Sequence, residues 1–196
     1  MAACPVQFWF DFASTYSYPA ASRIETLADQ VGVAVEWRPF LLGPIFQAQG
    51  WNDSPFNIYP AKGQYMWRDL ERICERLGLP FRRPTRFPRS GLLAARVVCS
   101  APGAAWVPAF VRAVYRANFA DDLDITSPEV LTRILESLGQ DAAATIARAQ
   151  SQEVKDRLRQ STDEAQRLGI FGAPSYAVGG ELFWGNDRLE DALAWR

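Results

Sequence analysis

"FDFASTYSYP", residues Phe10–Pro19, carries an aromatic, apolar run into five consecutive hydroxyl-bearing side chains, Ser14 to Tyr18. The run that feeds it, Val6 to Phe12, has strand length and is apolar enough to be covered on both faces. From about Thr15 to Val31 the period becomes helical. Ile24, Leu27, Ala28 and Val31 fall on one side, Arg23, Glu25 and Asp29 on another, and Gly32 stops the helix. Val33 to Phe40 then alternates as a strand. A strand, helix, strand unit of this kind builds a parallel sheet, and it sets the hydroxyl cluster where the first strand hands over to the first helix.

Outward from this unit, Leu41 to Tyr59 is rich in Gly, Pro and Asn and reads as a long loop, a class of segment often functional when it interrupts a compact domain. Helices are expected near Gly63–Leu77, Ser90–Ser100, Ala104–Phe119, Ser127–Leu138, Asp141–Ala149 and Gln152–Leu168. Ser127 followed by Pro128 and Glu129 has the pattern of an N-cap with proline at the first helical position. Near the end, Ser175–Val178 and Glu181–Trp184 flank Gly179-Gly180, a hairpin signature, and a last helix is expected from Asp187 to Trp195. The order is βαβ, an all-helical stretch, then ββα. This is an α/β chain with the order of a thioredoxin-like domain, residues 1–60 and 169–196, interrupted by a helical insertion, residues 61–168.

Composition narrows the chemistry. With 196 residues, 48% of them hydrophobic, the chain can form one substantial core. Its formal charge of −1 carries no electrostatic footprint for nucleic acid or an anionic membrane, so a small-molecule partner is expected. The first residues lack a basic n-region and meet Asp11 before a signal-peptide core could form, and no apolar run reaches the roughly 18 residues of a membrane span. The three cysteines, Cys4, Cys74 and Cys99, are odd in number and far apart, which argues against a disulfide framework or a Cys-rich zinc site. A reducing, cytoplasmic setting is expected. Histidine is absent, which excludes Ser-His-Asp and Cys-His catalysis, histidine metal ligands and an imidazole proton shuttle. Hydroxyls, carboxylates, lysine, backbone dipoles or a borrowed group must do the work.

Five blocks in order along nearly the whole chain, "FDFASTYSYP", "RPFLLGPIF", "PAKGQYMWRDLER", "GIFGAPSYAV" and "ELFWGNDRLE", resemble the 2-hydroxychromene-2-carboxylate isomerases, relatives of kappa-class glutathione transferases and of bacterial disulfide-forming oxidoreductases. Redox members carry C-x-x-C at the head of the first helix, where this chain has Ser14-Thr15-Tyr16-Ser17. Without thiols there, dithiol exchange by the protein is ruled out, and the resemblance implies that the thiol comes from glutathione. A serine hydroxyl and the unpaired amides of a helix N-terminus suit a thiolate. Lowering a thiol pKa by about two units from about 8.5 needs roughly 2.7 kcal/mol of preference for the anion. A charge-assisted hydrogen bond of about 1.5–3 kcal/mol and a helix-end contribution of about 0.3–2 kcal/mol supply it.

The resemblance extends residue by residue. Ala173-Pro174 matches the family's cis-proline, which leaves the preceding backbone free to pair with a peptide-like ligand. Asn186 and Asp187, which on their own read as N-cap residues of the last helix, match the polar pair at the γ-glutamyl end of glutathione. Lys62 matches a lysine aimed at a glutathione carboxylate. An asparagine that relatives often place nine positions earlier is Asp53 here, with Asn52 beside it as the substitute contact. Trp9, Tyr16, Tyr18, Trp37, Phe46, Trp51, Tyr65, Trp67 and Trp184 could line a pocket for a flat substrate, Trp51 foremost. Arg38, Arg86 and Arg89 are equal candidates for its carboxylate. Cys74 and Cys99 are expected in the core, Cys4 at the surface.

Taken together, the resemblance implies a cytoplasmic homodimer that interconverts 2-hydroxychromene-2-carboxylate and trans-o-hydroxybenzylidenepyruvate in naphthalene-type catabolism. Two other readings stand beside it: a kappa-like glutathione transferase or peroxidase acting on another electrophile, and a non-catalytic thioredoxin-like binding module.

Overall fold

The computed structural model describes residues 5–195. Strand β1 (Val6–Phe10) lies at the centre, parallel to β2 (Val35–Pro39) on one side and antiparallel to β3 (Ser175–Val178) on the other. Strand β4 (Glu181–Trp184) completes the order β2-β1-β3-β4. The alternation of β1 sends Phe8 and Phe10 to one face, against Trp37, Tyr176 and Tyr115, and Trp9 to the other, against Phe40, Ile45 and Ile170. Both faces are covered, as the density of the run requires. Each such side chain contributes about 1.5–3 kcal/mol on full burial.

Between β1 and β2, α1 (Ser17–Val31) ends at Gly32, which adopts φ 68° while Val33 N–H bonds back to the Ala28 carbonyl, a Schellman stop. The helical stretch comprises α2 (Leu42–Ala48), α3 (Pro55–Ile58), α4 (Pro60–Leu77), α5 (Leu92–Ser100), α6 (Val107–Phe119), α7 (Pro128–Ser137), α8 (Ala142–Ala149) and α9 (Gln152–Arg167). Met66, Leu70, Ile73 and Cys74 give α4 a buried face at helical spacing, and they join the core that contains Phe8 and Phe10 (Ile73 excepted). The last helix, α10 (Leu189–Ala194), packs on α1, β3 and β4 and so closes the end of the sheet near the Ser14 corner.

Several expectations are corrected. The stretch Leu41–Tyr59 is not a continuous loop, because it holds α2 and α3. Helix α2 has no capping side chain of its own at Leu41; the Asp11 carboxylate, 31 residues earlier, accepts the Leu42 N–H at 2.7 Å. Ser54 caps α3 through the Phe56 N–H with Pro55 at the first position, the same Ser-Pro pattern read at Ser127. Ser127 itself has N-cap backbone geometry, but its hydroxyl is spent on the Glu129 carboxylate and caps no backbone N–H. Helix α1 starts at Ser17, not Thr15. Asn186 and Asp187 do not cap the last helix; with Arg188 they form a 3-10 turn ahead of α10, and neither provides a side-chain cap. Cys74 is buried in the core and Cys99 is half-buried, packed against it; desolvation pushes both thiols up to about 11. Cys4 lies outside the described residues.

Candidate functional site

Ser14 stands at the head of α1, buried, with its hydroxyl in two bonds. It donates to the Ala173 carbonyl at 2.8 Å and accepts the Ser17 N–H at 3.3 Å, so it caps α1 from three residues upstream. The next two backbone N–H groups, of Thr15 and Tyr16, make no hydrogen bond among the described residues. They are the orphan donors of a helix start. Ala173-Pro174 is cis, and the Pro174 carbonyl accepts the Gly185 N–H at 2.9 Å. That bond ties the cis-proline to the turn bearing Asn186 and Asp187.

Beneath Ser14 sits Asp11, a buried carboxylate whose oxygens accept from Ala13 N–H and Leu42 N–H, both at 2.7 Å. Burial raises its pKa, and those two backbone bonds pull it part of the way back. Its own carbonyl accepts the Tyr115 hydroxyl at 2.8 Å and the Ser14 N–H at 2.9 Å. Asp11 therefore joins the Ser14 loop to α2. Tyr16 joins it to α4: its hydroxyl donates to Asp69 Oδ2 at 3.0 Å, and burial, followed by the Asp69 charge, pushes the phenol well above its ordinary pKa, so it stays a donor at neutral pH.

Ser14 and Ala173 line a cleft of about 1550 Å³ that also takes in Asn52, Lys62, Asn186 and Asp187. Six of the seven residues singled out from the sequence thus share one cavity. Pro174 is buried behind it and shapes it through the cis bond. The cleft exceeds the roughly 300–1,000 Å³ of ordinary small-molecule sites, which leaves room for two ligands. Among the described residues no cysteine lines it. Lys62, on the first turn of α4, is exposed, with its ammonium 5.6 Å from the Tyr59 ring centre. Asp53 is spent on Ser54 N–H and the Asn57 amide, leaving Asn52 as the exposed polar group of that loop.

The family profile described as DSBA-like thioredoxin domain matches residues 5–194. The 2-hydroxychromene-2-carboxylate isomerase of Sphingobium xenophagum is 33% identical over 187 residues, 94% of each chain. The chain belongs to the 2-hydroxychromene-2-carboxylate isomerase family, within the DsbA-like thioredoxin fold. A solved 2-hydroxychromene-2-carboxylate isomerase superposes with a TM-score of 0.85 at 27% identity, over 94% of this chain and 90% of that one. Human glutathione S-transferase kappa 1 is 25% identical, over 94% of this chain and 87% of its own.

In this isomerase-family cleft the aromatic candidates divide. Tyr16, Phe46, Trp51 and Trp184 line it, with Trp51 half-buried and 5.6 Å from the Phe46 ring. Trp9, Tyr18, Trp37 and Trp67 belong to the packing of the core and Tyr65 is exposed and does not line the cleft, which corrects their place as pocket residues. Trp184 packs on Phe171 on the rim, ring centres 4.9 Å apart and planes tilted by 56°, over Gly172, where a Cβ would stand 2.4 Å from the indole nitrogen. The arginines separate too. Arg38 pairs with Glu36 and Glu164 at a second cavity, Arg86 is exposed outside the cleft, and Arg89 alone of the three lines it.

Sequence reasoning missed Asp11, Arg23, Asp69 and Arg76 as lining residues of the family's cleft. An aspartate between two phenylalanines was the available signal for Asp11. Arg23, assigned by helical period to the polar side of α1, instead reaches Asn186 and Glu190.

Proposed function

We propose that this protein is a glutathione-dependent isomerase that interconverts 2-hydroxychromene-2-carboxylate and trans-o-hydroxybenzylidenepyruvate. The observation that carries the reading is the Ser14 hydroxyl, buried at the helix head and bonded to the carbonyl before a cis-proline, in a cleft without cysteine. The residues present fit the tripeptide: a hydroxyl and two free helix-head N–H groups for sulfur, an Ala173 N–H without a partner among the described residues, and Asp187 and Lys62 for the charged ends. Bound glutathione would supply a thiolate for reversible conjugate addition to the ring-opened keto form, reached when the hemiketal ring C–O bond breaks and its hydroxyl proton passes to the phenolate oxygen; rotation about the resulting single bond and elimination would return the thiolate unchanged.

Ser14 is the catalytic residue in this reading. When a peptide N–H takes over at the Ala173 carbonyl, the Ser14 proton is released to point at sulfur, while the Ser17 N–H bond keeps its oxygen in place. The Thr15 and Tyr16 N–H groups add the helix-end field. Lys62 and Asn52 take a carboxylate of the tripeptide, Asn186 and Asp187 its γ-glutamyl end, and the aromatic walls at Phe46 and Trp51 take the flat substrate.

The test is an isomerisation assay with parallel measurement of free glutathione. The tripeptide should be unchanged after many turnovers, and its stoichiometric loss would replace the isomerase with a transferase, the alternative that the kappa relative favours. No helix among the described residues is long and apolar enough to cross a membrane. We place the protein in the cytoplasm as a homodimer in an aromatic-degradation route; light scattering on the purified protein checks the dimer.

A further inference from the structure

Arg23 belongs to α1, yet its guanidinium leaves the helix and crosses to the turn after β4. One terminal nitrogen donates to the Asn186 carbonyl at 3.0 Å and to Asn186 Oδ1 at 3.2 Å; the other donates to Glu190 Oε1 at 2.5 Å. The Arg23 side chain is 19% exposed and Asn186 is 9% exposed, so the two bonds to Asn186 are largely shielded from water, whereas Glu190 is 55% exposed. A guanidinium only donates, so the Asn186 amide must turn its oxygen toward Arg23. Its Nδ2 faces the other way, and among the described residues that nitrogen makes no hydrogen bond. Asn186 lines the cleft.

Beside this donor stands an acceptor. The Asp187 carboxylate is 75% exposed and folds back over Gly185, at φ 112°, where a Cβ would lie 2.5 Å from Asp187 Oδ1. An amide N–H₂ and a carboxylate on adjacent residues complement an α-carboxylate and an α-ammonium on one carbon. That is the free amino-acid end of a γ-linked peptide, which an ordinary α-linked peptide does not carry next to its cysteine.

We propose that Arg23 is a positioning residue that locks the Asn186 amide donor-outward, and that the pair thereby makes the cleft selective for thiols bearing a γ-linked amino-acid end. This rests on the glutathione reading above. Were the amide free to turn, its oxygen would meet the ligand carboxylate half the time and the selectivity would fall.

Calorimetry with glutathione and with cysteinylglycine, which keeps the thiol and glycine but lacks the γ-glutamyl group, tests it on wild type, Arg23→Met and Asn186→Asp. The second variant keeps an oxygen, now charged, toward Arg23, so the fold is retained while the outward donor becomes an acceptor. Wild type should prefer glutathione; Asn186→Asp should lose that preference by about tenfold or more, and Arg23→Met by about twofold, the share lost when the amide is competent half the time, with cysteinylglycine affinity unchanged. Equal weakening for both ligands, or an intact preference in Arg23→Met, overturns the role given to Arg23, and an intact preference in Asn186→Asp overturns the donor role given to Asn186, while either leaves glutathione binding standing. Failure of wild type to bind glutathione at millimolar concentration overturns the glutathione reading and this inference with it.

Discussion

Around Ser14 the cleft is tied together by bonds between distant parts of the chain: Ser14 to Ala173, Gly185 to Pro174, Arg23 to Asn186, Asp11 to Leu42. From Asn52 to Arg76 the lining is different. Asn52, Lys62 and Arg76 are exposed, and neither cation has an ion-pair partner among the described residues. A pre-fixed group loses little freedom when a ligand arrives, whereas a long exposed side chain gives up as much as about 1.5–2 kcal/mol of rotamer entropy. The first region is therefore pre-organised, which on the proposed reading suits the holding of a sulfur anion, and the second is open to adaptable, salt-sensitive contact.

Breaking the fixed region should have the largest effect. Ser14→Ala removes the hydroxyl that donates to Ala173, and loss of a thiol shift of up to about two pKa units, from about 6.5 back to about 8.5, predicts a fall in kcat/KM of up to about 25-fold at about pH 7. Ultraviolet titration of the bound thiolate should show the same displacement. A change under threefold would remove Ser14 from the chemistry.

Gly185→Ala strikes the same region indirectly. The left-handed backbone at φ 112° and the 2.5 Å approach to Asp187 Oδ1 leave a side chain no room. Strain of about 1–3 kcal/mol is expected, which is a fall of several degrees in Tm, with glutathione binding weakened as Asp187 is displaced. Unchanged melting and binding would show that the turn yields freely.

Lys62→Met probes the exposed region. It should raise the glutathione KM about two- to fivefold at low salt with kcat unaltered, and the difference should shrink as ionic strength rises. A salt-independent loss would mean that Lys62 sits in a fixed network like the one around Ser14.

The smallest effect lies in stability against pH. Burial holds the Asp11 carboxyl above its ordinary value of 3.8, against the lowering influence of its bonds from Leu42 and Ala13. A group with a raised folded pKa binds its proton more tightly folded than unfolded, so its contribution is full below that ordinary value and is lost as pH rises through the folded one. Denaturation midpoints of wild type should decline relative to Asp11→Asn across that window. A pH-independent difference would leave Asp11 a purely steric tie.

Much of this was legible in the chain. The period change after Phe12, the glycine stop at Gly32 and the Gly179-Gly180 hairpin are local signals, and their elements fall within a few residues of expectation. Ser14, Ala173, Lys62, Asn52, Asn186 and Asp187 were named before they shared a cavity, because the resemblance supplied what spacing could not. Helix α2 was illegible for a definite reason: its cap is the Asp11 carboxylate, and no local pattern reports a cap 31 residues away. What Arg23 meets was illegible for a similar one, since helical period states which side of α1 a residue occupies but not what crosses over to meet it.

What the sequence determined by itself, then, is the order of elements, the absence of cysteine from the helix head and the lack of any imidazole; these follow from residue identity and local periodicity. Tertiary structure alone decided which arginine faces the cleft, which aromatics are walls and which are core, and which way the Asn186 amide points. Those depend on groups brought together from opposite ends of the chain, where a hydrogen bond or an ion pair is set by packing and not by neighbours in sequence.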